Sequence, residues 1–299
     1  MRSLPLVSLC FLFMVLSAPL SLTGQEIRSV IVDADTGNEV DDPYALTRIL
    51  LEPSVKVTAL NAAHWQTSHW SIDKSMENSH RLNQQLLGEL GLEVKTLRGG
   101  AARTYDWGDR AQHSAAAYEI IRQAQHSDSV TILVLGALTN VASAMLIAPE
   151  IASKLTIFWL GTTLDFETQV LKRNDFNPLM DPFALDLVLD SEADLHIMPI
   201  NVAVEMEIAY LDLERSIGQH KIGKYLLKRW DDHIDGSRQR RILWDLGLVA
   251  AFIHPEFATS QTITTSRDSG NRPVTFYDSI DVQAIYRDFY NTLLAFEPE

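Results

Sequence analysis

An α/β protein with a mostly parallel, doubly wound sheet flanked by helices, and a mostly helical C-terminal third, is what the sequence predicts. Two observations carry this. Short runs of β-branched and apolar residues alternate with amphipathic stretches through the first 200 residues, the pattern of consecutive βαβ units. Acids, glycines and asparagines then follow the strands, where open α/β sheets bind ligands. No repeat, low-complexity tract or Gly/Ser linker interrupts the chain, so residues 25–299 read as one domain.

The first strand is the run Val30-Ile31-Val32, with no polar alternation, as expected of a strand buried on both faces. Pro43-Tyr44-Ala45-Leu46 opens a helix over 44–51, since proline is tolerated in a first turn. Residues 55–62 form the second strand, followed by a histidine and tryptophan cluster at His64, Trp65, His69 and Trp70. Met76, Leu82, Leu86, Leu87 and Leu90 set a helical period over 75–90, closed by Gly91. A short strand over 92–97, a helix over 114–125 and a strand over 130–135 come next. Gly136 to Asn140 then lead into a helix over 141–147. Strands over 155–160 and 195–201 bracket a loop and a helix over 183–189. Beyond residue 201 the expectation is a long helix over 211–230, a polar loop over 231–238 and a helix over 246–253. Edge strands and a short helix complete the chain over 263–286.

The 299 residues carry a net charge of −14, which argues against a nucleic-acid partner because phosphate binding needs basic patches. Residues 1–24 read as a signal peptide: Arg2 supplies a positive start, and 4–20 are apolar and uncharged. That run is short for a membrane span. The expectation is an exported protein, periplasmic or secreted, with no stable membrane association after cleavage. The single cysteine, Cys10, falls in this segment, so the mature chain has no thiol for disulfides, nucleophilic catalysis or zinc.

Chemistry concentrates after the first strand, where Asp33, Asp35, Asp41 and Asp42 crowd one turn around Gly37 and Asn38. Like charges this close cannot all stay ionised unaided, and a hard cation held by oxygen ligands resolves the conflict. A rival reading is the D-x-D-x-T nucleophile loop of haloacid-dehalogenase-like phosphatases, seen in Asp33-Ala34-Asp35-Thr36 with Asp231-Asp232 as a late acidic pair.

Four segments in register decide between them. The acidic turn resembles D-x-D-P-G-x-D-D of the inosine–uridine-preferring nucleoside hydrolase family. Residues 134–142 resemble its L-G-P-L-T-N-V-A, 175–182 its E-F-N-x-x-x-D-P, and 244–250 its H-D-P-L-A-x-A. The resemblance, over roughly residues 28–260, implies a nucleoside-hydrolase-like fold and calcium-dependent hydrolysis of the N-glycosidic bond of a ribonucleoside or related ribosyl substrate. It implies a calcium site from Asp35, Asp42, the Thr139 backbone carbonyl and Asp245, with Asp35 also the general base. It implies ribose contacts from Asp41, Asp175 and Asn177, and a dimer or tetramer. Three departures stand out. Asn38 and Glu39 lengthen the acidic turn by two residues, which either bulge outward or bring Glu39 into the pocket as a ligand or ribose contact. The asparagine expected after the second strand aligns near Ala63 or His64. Trp244 replaces a histidine that assists the leaving base; it can stack on a base but cannot protonate a purine nitrogen. His64, His69 and His233 are the substitute acids on offer. A non-catalytic, calcium-dependent ribosyl-binding protein is the alternative function.

Overall fold

A computed structural model describes residues 27–104 and 110–297; the expected signal segment, 1–24, lies outside the described residues. The chain runs β1 (Arg28–Ala34), α1 (Asp42–Leu50), β2 (Val55–Ala62), α2 (Ser75–Leu90), β3 (Thr96–Arg98), α3 (Ala115–His126), β4 (Val130–Val134), α4 (Thr139–Ile147) and β5 (Leu155–Leu160). A hairpin of β6 (Thr163–Asp165) and β7 (Val170–Lys172) precedes α5 (Phe176–Met180), α6 (Pro182–Asp190) and β8 (Asp194–Met198). The last third holds α7 (Ile200–Ala203), β9 (Glu207–Ala209), α8 (Tyr210–Ile217), α9 (Lys221–Asp231), β10 (Arg240–Ile242), α10 (Trp244–Ile253), β11 (Ala258–Thr264), β12 (Pro273–Ile280) and α11 (Val282–Ala295).

Eight strands form the main sheet in the order β11-β12-β8-β5-β4-β1-β2-β3. All neighbours are parallel except β11, which pairs antiparallel with β12. The uniform apolar run in β1 is explained by burial on both faces. Val30 and Val32 face a core shared with α1, α10 and α11, while Ile31 faces one shared with α3, α4 and α6. Each such side chain removed from water contributes about 1.5–3 kcal/mol. The chain moves outward from β1 to β2 and β3, then returns to place β4 on the other side of β1. That reversal opens a crevice at the carboxyl ends of β1 and β4, the place where doubly wound sheets take ligands.

Several expectations shift. The strand over 195–201 stops at Met198, because Pro199 lacks the N–H a strand needs and caps the short α7 instead. The helix over 211–230 is two helices, with Gly218 ending α8 and the His220 ring accepting the Ile222 N–H at the start of α9. The three-residue strands β9 and β10, which pair with each other, are not evident in the sequence. The final helix has 14 residues and is not short, and β12 is an interior strand. Among the described residues no helix is long and apolar enough to cross a membrane.

Candidate active site

Asp33, the penultimate residue of β1, is wholly buried and held by the amides of Asn140 (2.9 and 3.2 Å) and Asn61 (3.4 Å). Burial raises its carboxyl to about 6 despite these bonds. It therefore braces β1 against β2 and α4. One turn later the remaining acids face a cavity of about 520 Å³, its mouth included, whose wall contains Asp35, Glu39, Asp41, Asp42, Asp175 and Asp245. Gly136 lies so close beneath Asp35 that a Cβ there would stand 2.9 Å from the Asp35 Cγ. The glycine after β4 is thus what lets Asp35 sit at the crevice.

Two helices converge on the same point. Asp41 is the N-cap residue of α1 and Asp42 its first residue, while Asp245 stands in the first turn of α10. Helix N-termini favour anions there. Asp41, Asp42 and Asp245 each offer an oxygen, all within 4.8 Å of one another. The Asp245 N–H also donates to Asp41 Oδ2 at 3.4 Å. Asp35, Asp42 and Asp245 are at most 2% exposed, and each keeps one carboxylate oxygen with no hydrogen-bond partner. Burial first, then the neighbouring carboxylates, pushes all three well above the usual carboxylate range. Asp41 is pushed up to about 7, by burial and then by Glu39. Buried, unpartnered carboxylates of this kind are costly unless a cation completes them. All-oxygen donors suit calcium or magnesium. The residues present fit such an ion.

Across the cavity Asp175 stands at the N-cap of α5, and burial raises its carboxyl to about 6, although the nearby backbone N–H groups of Phe176, Thr162 and Asn177 work the other way. Asn177 donates its amide to the Leu135 and Leu160 carbonyls, both at 2.9 Å, so it ties the loops after β4 and β5 together beside the cavity. The inserted Asn38 and Glu39 turn inward. Asn38 donates its N–H to the Asp35 carbonyl (2.7 Å), accepts the Trp70 indole N–H (2.9 Å) on its side chain and His233 Nε2 (3.0 Å) on its carbonyl. Glu39 is thereby delivered into the cavity. Trp244 and Phe176 supply its aromatic wall, and Trp70 stacks on Phe176 with centroids 5.4 Å apart.

Two expected residues are not brought to the cavity. Thr139 begins α4, where its carbonyl belongs to the helix ladder, and its hydroxyl donates to Asp181 at 2.7 Å. His64 is fully buried, with Nε2 2.9 Å from that hydroxyl and Nδ1 accepting the Gln66 N–H. Because the Thr139 proton goes to Asp181, His64 donates from Nε2; burial lowers its pKa to about 4 and keeps it neutral. Both are parts of a structural chain ending on Asp181, and Leu135 stands at the cavity wall instead. Leu135 was signalled in the sequence as the last apolar residue before Gly136. Phe176 was signalled by lying between Asp175 and Asn177. His69 packs edge-on against Trp70, and His233 serves the Asn38 carbonyl. Asp231 and Asp232 end α9 and take no part in the cavity, which removes the phosphatase reading.

Comparison with known proteins agrees with this geometry. The family model described as inosine-uridine preferring nucleoside hydrolase matches residues 30–286. The chain is 26% identical over 258 residues to a probable uridine nucleosidase 2 of Oryza sativa subsp. japonica, covering 77% of this chain and 75% of that one. It is 22% identical over 252 residues to the non-specific ribonucleoside hydrolase RihC of Salmonella typhi, covering 78% and 81%. An inosine-guanosine nucleoside hydrolase structure superposes with a TM-score of 0.67 at 18% identity, covering 90% of this chain and 99% of that one. With the matched region spanning the acidic turn, the loop after β4, Asp175 and Asp245, the chain belongs to the inosine-uridine preferring nucleoside hydrolase family.

Proposed function

We propose that this protein is an exported, calcium-dependent hydrolase that cleaves the N-glycosidic bond of ribonucleosides or related ribosides to base and ribose. The observation that carries the reading is the set of three buried carboxylates, Asp35, Asp42 and Asp245, each with an unpartnered oxygen at one cavity. Asp41, Asp42 and Asp245, whose oxygens converge within 4.8 Å, would hold the ion with Asp35 beside them, and the Leu135 carbonyl would take the place expected of Thr139. A bound calcium would orient ribose hydroxyls and acidify the attacking water. Asp35 accepts the proton of that water as it adds to the anomeric carbon. Asp41, Asp175 and Asn177 position the ribose. Positive charge develops on the sugar ring in the oxocarbenium-like transition state, and the carboxylate wall favours that state over the neutral ground state.

The test is release of reducing sugar from a panel of ribonucleosides with calcium and after chelation. Turnover that stops on chelation, and falls by about 10³-fold or more in Asp35→Asn, fits loss of the base and of its charge. A non-catalytic binding protein is the second reading, favoured by Trp244 at the position where the family pattern has histidine. Saturable ribose binding with no sugar released from any riboside would establish it.

A further inference from the structure

Resting on the hydrolase reading, a second conclusion concerns the base. Six carboxylates line the cavity, and among the described residues its wall contains no lysine, arginine, histidine, tyrosine or hydroxyl. The acids that would engage the ion, Asp35, Asp41, Asp42 and Asp245, leave Glu39 and Asp175 facing the rest of the cavity. Glu39 is the acid that the two-residue insertion adds, and among the described residues no hydrogen bond or ion pair engages its carboxylate. Arg241 and His233 stand behind it and are committed elsewhere. Arg241 pairs with Asp235, and His233 divides its ring between Asp235 (2.5 Å) and the Asn38 carbonyl (3.0 Å). Arg238 also pairs with Asp235, and none of these groups bonds to the Glu39 carboxylate, which faces the cavity with no direct counter-ion among the described residues. The aromatic faces of Trp244 and Phe176 line the same cavity, and such faces attract cations.

A neutral base leaves poorly unless it is protonated; the N–H groups of Trp244, Asn38 and Asn177 are too weakly acidic for this, and among the described residues no histidine, tyrosine, lysine or arginine lines the wall. We infer that the preferred substrate is a riboside whose base is already cationic, a heteroaromatic ring quaternised at the nitrogen that bears the sugar, held between the Glu39 carboxylate and the Trp244 and Phe176 rings. The bond from the anomeric carbon to that nitrogen breaks, and its electron pair neutralises the ring, which leaves as an uncharged base. Water adds to the anomeric carbon, and its surplus proton passes to Asp35 and then to solvent. No proton donor is required, and charges and atoms balance.

The experiment measures kcat/KM of the calcium-loaded protein for nicotinamide riboside, a ribosyl pyridinium, and for uridine and inosine. The expected result is a preference of about tenfold or more for the cationic riboside, the size of one desolvated cation–π contact plus a carboxylate contact. In Glu39→Gln that preference shrinks by about tenfold, chiefly through KM. Equal or faster turnover of uridine or inosine overturns the inference while leaving the hydrolase reading intact. A preference unchanged in Glu39→Gln removes Glu39 from it. No sugar release from any of the three overturns both. The ratio in the unaltered protein decides the matter if the variant does not fold.

Discussion

Two clusters of buried charge behave in opposite ways. Around Arg48, which is 2% exposed, the guanidinium meets Asp288 through two bonds (2.5 and 3.1 Å), pairs with Glu52 (2.8 Å) and contacts His254 (3.2 Å). There both carboxylates meet the same guanidinium directly, and the cluster ties α1 to α11. At the crevice, Asp35, Asp42 and Asp245 are as deeply buried and have carboxylates for neighbours. The first arrangement stabilises a fold. The second costs stability and is held in place by helices and strands packed around it. Burial alone does not mark a functional site; burial of one sign of charge does.

The sharpest way to break that contrast is to neutralise one crevice acid. Asp42→Asn should lower kcat/KM by about 10³-fold or more, measured as sugar release, while the melting temperature of the metal-free protein holds or rises because repulsion is relieved. A fall in metal-free stability would mean the crevice is as self-sufficient as the Arg48 cluster. The reverse change, Arg48→Ala, strands Asp288 and should cost about 3–5 kcal/mol in denaturant unfolding. Its kcat/KM per folded molecule should stay within about threefold.

Acidity separates the two clusters next. In the crevice the folded carboxyl values lie above those of the unfolded chain, with Asp41 at about 7 and Asp175 at about 6 against a usual 3.8. The folded state therefore binds more protons than the unfolded one between about pH 4 and 7, so metal-free stability falls as pH rises through that window. His64, lowered to about 4 from 6.5, works in the opposite direction, but it is one group against several acids. A loss of a few kcal/mol across the window is expected, and calcium should flatten it. A chelated protein that gains stability from pH 5 to 7 would contradict the assignment. The smallest effect is Gly136→Ala, whose Cβ must displace Asp35. A fall in kcat of about 10–100-fold with little change in melting temperature is expected, since misplacement of about 1 Å costs about that much.

The interior of the sheet was readable because β1 and β4 carry unbroken apolar runs buried on both faces, Val30-Ile31-Val32 and Ile132-Leu133-Val134. α2 was equally plain, with its leucine period and Gly91 in the left-handed conformation at its end. The last third was harder. Gly218 and His220 divide what looks like one amphipathic helix, and β9 and β10 have three residues each, too few for a period. At the site, the acids could be identified because carboxylates crowded after a strand repel one another unless a cation is shared among them. Thr139 and His64 could not be placed the same way. Their neighbours in sequence suggested the cavity, whereas the direction of a carbonyl or a ring is decided by helix geometry and by Asp181, 42 residues beyond Thr139.

The position of Asn38 has a practical corollary for anyone exchanging parts between relatives. Segments from two distant stretches of chain, one bearing Trp70 and one bearing His233, are both fastened to this single residue. Excising Asn38 and Glu39 to restore a shorter turn would unhitch both segments together. Grafts around the mouth therefore have to be made as a matched trio, turn and both flanking loops from the same donor, for the chimera to keep its entrance.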